Sequence, residues 1–205
     1  GNQASNAAGH SGAVYVFTRS GTQWSQQAYI KASNAEASDA FGTRVALEGD
    51  LLAVGAIGED SLGGQGNNAS ESSGAVYVFS RSGTQWSQEA YLKAAIIDAG
   101  DSFGFSLGLN ANTLAIGATE EDSAATGIGG DQLDNSVEGA GAVYLFGRSG
   151  TQWSQVAYLK SSNPGPGDSF GGSLALRPET LVVGASLEDG VGDALINSGA
   201  IYVHR

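Results

Sequence analysis

The residues best equipped for chemistry in this 205-residue chain are carboxylates, and they come in pairs. Glu59-Asp60, Glu121-Asp122 and Glu188-Asp189 each lie near the start of a polar stretch, and the second continues to Asp131, Asp134 and Glu138. Hard cations take roughly 6–8 oxygen ligands from carboxylates and carbonyls, and a Gly-rich loop can bend around one. Ca2+ is therefore one expectation for Glu59, Asp60, Glu121, Asp122, Asp131, Asp134, Glu188 and Asp189, although no cofactor is required. The other expectation is plainer: acidic residues at loop starts cap turns through their own backbone. No Asp-x-Asp-x-Asp-Gly run decides for the metal.

Other candidates read as structural because they repeat. Asp39, Asp101 and Asp168 each precede a Phe-Gly pair by two residues. An active site is needed once and a turn once per repeat, so these aspartates are expected to cap turns. The same reasoning takes Trp24, Trp86 and Trp153 as packing residues, and Arg19, Arg81 and Arg148 as turn or surface residues. His10 and His204 have no neighbouring unique serine and carboxylate to make a triad. The runs Gly63-Gly64 and Gly129-Gly130 lack the strand-to-helix setting of a phosphate cradle. Cysteine is absent, which excludes disulfides, thiolate zinc sites and thiol catalysis.

Charge narrows the partners. Nine Lys and Arg against 21 Asp and Glu leave a net charge of −12, which repels phosphate backbones and anionic lipid. No apolar run is long enough to span a bilayer, so neither nucleic acid nor membrane insertion is expected.

The elements that hold these residues come in copies. RSGTQWSQ occurs at 19–26, 81–88 and 148–155, and four landmarks recur in order: SGAVYVF, RSGTQWSQ, a D-x-F-G tetrad and L-x-V-G-A. Spacing is constant from Gly12 to Trp24, Trp24 to Phe41 and Phe41 to Ala56, and the same in the later copies. All variation in length falls between Ala56, Ala118 or Ala185 and the next Gly74, Gly141 or Gly199. One rigid unit is copied, and one loop per unit is free to change.

Each unit reads as four short strands. Phe41, Thr43, Val45 and Leu47 alternate along the first, and LLAVGA makes the second. AVYVF is apolar on both faces, so it is covered on both sides. WSQQAYIKA is the fourth, with Trp24, Ala28 and Ile30 expected on one face and Lys31, Lys93 and Lys160 guarding an edge. Sheets buried on both faces need neighbours, and radial stacking supplies them. Small residues such as Gly55 and Ala56 would let inner strands crowd an axis. The predicted class is an all-β propeller of four-stranded antiparallel blades, with a linear β-solenoid as the runner-up.

The order F-G, L-x-V-G-A, G-A-V-Y-V-F resembles the FG-GAP repeat of integrin α-chains and of many bacterial surface or secreted proteins. The resemblance covers residues 11–204. It implies that Phe41, Phe103 and Phe170 pack between blades and that Gly42, Gly104 and Gly171 permit close approach. Integrin calcium loops join the first and second strands; here those connections are only 48–50, 110–112 and 177–179, so those ligands do not carry over. The expected division is strands three and four of a blade at 11–40, blades at 41–102 and 103–169, and strands one to three at 170–205. That is about three blades of a larger ring, completed by another copy of the chain or by further repeats of a parent chain. The expected role is a non-enzymatic binding or adhesion module, extracellular or on a cell surface, presenting variable loops to a protein or glycan. Part of a polysaccharide-acting propeller enzyme and a self-assembling structural repeat are the alternatives.

Overall fold

Four antiparallel sheets and no helix make up the computed structural model, which describes residues 3, 7–190 and 196–204. Strands β1 (Val14–Ser20) and β2 (Gln23–Ile30) form the first sheet. The second is β3 (Arg44–Glu48), β4 (Leu51–Ala56), β5 (Ala75–Ser82) and β6 (Gln85–Leu92), paired in that order. The third repeats this with β7 (Ser106–Asn110), β8 (Thr113–Ala118), β9 (Ala142–Ser149) and β10 (Gln152–Leu159). The fourth pairs β11 (Ser173–Arg177), β12 (Thr180–Ala185) and β13 (Ala200–His204). The two four-stranded sheets are propeller-type blades, the other two carry part of the same pattern, and the all-β expectation holds. Among the described residues the first and last sheets do not touch, so the ring is open.

The core lies between sheets and not within any one of them, as strands greasy on both faces require. Val14 and Ile30 of the first sheet meet Phe41, Tyr77 and Phe79 of the second. Val76, Val78 and Leu92 meet Phe103, Tyr144 and Phe146 in the same way, and Val143 and Leu159 meet Phe170 and Val183. The phenylalanines of the three D-x-F-G tetrads are buried at these interfaces. Phe103 stands edge-on to Tyr144 and Phe146, with ring centroids 5.4 and 6.1 Å away.

Backbone joins blades as well. Phe103 N donates to Ser73 O and Ser102 N to Ser72 O; Phe170 N to Ala140 O and Ser169 N to Gly139 O repeat the pattern. This close docking explains a glycine. At Gly141 φ is +80°, and a Cβ there would collide with the Phe170 backbone. Only glycine accepts both the left-handed conformation and the contact.

Three expectations need correction. The innermost strands are β3, β7 and β11, which touch one another from blade to blade. The LLAVGA-type strands come second, and Gly55 and Gly117 leave room for the Gly104 and Gly171 carbonyls of the next blade, not for an axis. The fourth strand is bulged: its ladder skips Gln27, Glu89 and Val156. One extra residue resets a period of two, so Trp24 pairs with Arg19 on the face opposite Ala28 and Ile30. Finally, Lys93 and Lys160 are not edge guards; both side chains are buried.

Candidate binding surface

The acidic pairs sit at the base of the variable loops and divide the work there. The aspartates clamp the loop shut: Asp60 accepts from Ser72 N at 2.7 Å, Asp122 from Gly139 N at 2.8 Å and Asp189 from Asn197 N at 2.5 Å. Main-chain bonds from Gly74, Gly141 and Gly199 to the carbonyls of Glu59, Glu121 and Glu188 complete each clamp. The loops differ in length yet close on the same base.

The glutamates turn inward. Glu59 accepts from Lys93 at 3.1 Å, from Ser61, and from Asn34 of the preceding connection. Glu121 accepts from Lys160 Nζ at 2.5 Å and from Tyr158 Oη at 2.6 Å. Glu188 accepts from Asn163 Nδ2, whose carbonyl takes the Tyr202 hydroxyl at 2.9 Å. Burial raises the Glu59 carboxyl, but the Ser61 hydroxyl and the Lys93 charge outweigh it and hold the group below the ordinary value. Burial in turn pulls Lys93 and Lys160 below the usual lysine range despite their partners. Desolvated pairs of this sort are tolerated when every lone pair is engaged.

In the longest loop, Asp131 accepts from Leu133 N at 2.9 Å and Asp134 from Ala124 N at 2.8 Å. The loop folds back on β10, where Ile128 bridges to Leu159. Among the described residues no three acidic or histidine side chains converge on a point that would hold a cation. The eight carboxylates considered for calcium are instead spread over three loops, each occupied by a lysine, an amide or the backbone.

Asp39, Asp101 and Asp168 cap the turn before each Phe-Gly. Asp39 accepts from Glu36 N and Asp168 from Gly165 N, both at 2.7 Å. Burial, then the charge of Glu121, pushes the Asp101 carboxyl up to about 8 from 3.8. The folded chain therefore keeps a proton that the unfolded chain releases near pH 4. Stability from this group is complete at low pH and is lost as pH rises toward 8. Asp101→Asn retains a neutral acceptor, so it should match the parent near pH 4 and exceed it near pH 8. Urea midpoints at the two pH values check this.

Trp86, Trp153 and Arg148 are ties between blades, whereas Arg81 pairs with Asp50 of its own sheet. Trp86 Nε1 donates to Gln27 at 3.0 Å, and Trp153 Nε1 donates to Glu89 at 2.9 Å. Arg148 grips both oxygens of Glu89, at 2.8 and 2.7 Å, and lies over Trp153. Both acceptors are the bulged residues, which the bulge aims at the next blade. The first tryptophan, Trp24, is 66% exposed.

The loops also present apolar side chains that sequence reasoning missed. Leu62 in the first, Ile128 and Leu133 in the second, and Leu187 and Ile196 in the third are all exposed, Leu133 at 71%. Their one signal in the sequence was an aliphatic residue inside a stretch otherwise polar. The paired lysines left a better trace, since Lys31, Lys93 and Lys160 follow their tryptophans at constant spacing.

The repeat geometry, blade by blade, is matched by a family model. The model described as FG-GAP repeat covers residues 24–79, 86–146 and 153–204, well over half of the chain. The chain belongs to the FG-GAP repeat family. No curated protein matches it. In FG-GAP terms, the named Phe-Gly is the docking turn of each blade, and the L-x-V-G-A strand leads into the variable loop. No helix among the described residues is long and apolar enough to cross a membrane.

Proposed function

We propose that this FG-GAP chain is a non-enzymatic binding module of a secreted or cell-surface protein, presenting its variable loops to a protein or glycan partner. One observation carries the reading: loops that differ in length and sequence stand on identical Glu-Asp bases, and each exposes aliphatic side chains. Rigid base and variable tip is the division of labour of a recognition surface. Exposed aliphatics on several loops at one end of the blade stack favour a protein over a sugar as the partner. The acidic surface adds selectivity for partners carrying positive charge.

Ile128→Ser with Leu133→Ser tests this. Both side chains are already exposed, so the melting temperature should hold within a few degrees. Retention of a partner from extracellular protein fractions, or on a glycan array, should fall about tenfold or more, the scale of losing interface anchors. Unchanged retention, or a soluble product released with no bound partner, overturns the reading.

A further inference from the structure

We propose that the outer edge of β6, at residues 91–93, is a docking strand for a glycine–aliphatic–glycine segment of a partner protein, held through its main chain. The chain makes this contact once with itself, on the neighbouring blade. Residues 127–129 of the longest loop lie along the outer edge of β10. Gly129 N donates to Tyr158 O at 2.9 Å, Lys160 N to Gly127 O at 2.8 Å and Gly127 N to Ser161 O at 3.3 Å. Ile128 stands opposite Leu159 in the resulting bridge. Both glycines are left-handed, with φ of +71° and +77°, a conformation that other residues adopt only at a cost. The seat therefore selects glycine at two positions by backbone conformation, with an aliphatic residue between them.

β6 offers the same edge uncovered. It pairs with β5 in the register that β10 keeps with β9, Val76 opposite Leu92 where Val143 stands opposite Leu159. Tyr91 O and Lys93 N therefore point outward, as Tyr158 O and Lys160 N do. Among the described residues, no main-chain group outside the sheet bonds either of them. Exposure agrees. Lys160 is 1% exposed with its main chain included, whereas Lys93 is only half-buried although its side chain is 5% exposed. What Lys93 leaves open is its main chain. Tyr158 is buried and Tyr91 half-buried in the same way.

Loop length accounts for the difference. The stretch from Ala118 to Gly141 is longer than that from Ala56 to Gly74, 23 residues against 18. The shorter loop lies instead on the connection before β3, with Gln65 on Ser33 and Asn68 on Glu36, and leaves the β6 edge bare. β6 is the outermost strand of a blade flanked on both sides, so repeats added at either end of the chain do not reach it. Edges are commonly guarded by an outward lysine, but the Lys93 ammonium turns inward to Glu59. The bulge at Glu89 ends the straight edge on one side, and Gln155, which accepts from Ala95 N, closes it on the other. The seat is therefore short, and main-chain bonds to a sheet edge supply its affinity.

A capped peptide of residues 124–131 is the probe, and amide hydrogen exchange, read residue by residue on the 205-residue chain, is the measurement. Without peptide, the Lys93 amide should exchange much faster than the Lys160 amide. Peptide at about ten times its Kd should slow exchange at Lys93 about tenfold and leave Lys160 unchanged. D-alanine in the peptide at the positions of Gly127 and Gly129 favours positive φ and should keep the effect. L-alanine at the same positions should abolish it. A Lys93 amide as protected as Lys160 in the free chain overturns the inference, as does exchange at Lys93 that millimolar peptide does not move. Equal slowing by the D- and L-alanine peptides overturns it too, because selection by backbone conformation would then be absent.

Discussion

Lys160→Ala should cost the fold about 3–5 kcal/mol, the scale for removing one partner of a buried ion pair. Lys160 is 1% exposed, and its ammonium is 2.5 Å from one oxygen of Glu121, whose other oxygen takes the Tyr158 hydroxyl. Without the ammonium, a carboxylate stays under the longest loop with the Tyr158 hydroxyl and the Ser123 N–H as its partners, and Asp101 adds a second acid nearby. Urea unfolding at neutral pH gives the size. Lys160→Met combined with Glu121→Leu removes both charges and should recover most of the loss, since apolar replacement of a buried pair is often near neutral. Equal stability of Lys160→Ala and wild type would mean that the pair is solvated.

Phe103→Ala should lose a similar amount, about 3–5 kcal/mol, through transfer and cavity terms together. Its ring is buried between the second and third blades against Tyr144 and Phe146, and its backbone is bonded to Ser73, so the pocket has little freedom to collapse. Phe103→Leu keeps most of the volume and should lose less than half as much. The contrast is informative because a ring that merely decorated the turn would show equal, small losses for both. Differential scanning or urea unfolding distinguishes the two cases.

The buried glutamate and lysine also bear on how the loops can evolve. The pair neutralises itself below the loop, and the adjacent aspartate closes the loop by bonding its returning backbone. Residues between the clamp points are therefore free to change without disturbing the blade, which is where the length differences fall.

Much of the fold was legible in the sequence because a copied strand pattern leaves few alternatives. Constant spacing from Gly12 to Trp24 to Phe41 to Ala56, three times over, requires one local structure used three times. Apolar side chains on both faces of AVYVF require a sheet on either side, and the Phe-Gly words named the family. What the residues at the loop bases do was not legible. Glu59 and Lys93 lie far apart in the chain, and nothing in a one-dimensional pattern tells a lysine at a strand end that guards an edge from one that neutralises a buried acid. Trp24 was assigned to the wrong face for a comparable reason. A single bulged residue, invisible as composition, shifts the phase of every side chain before it. Periodicity along the chain settles what repeats locally; which charges meet, which faces turn inward and which carboxylates are already engaged depend on distances between blades, and only the tertiary structure sets those.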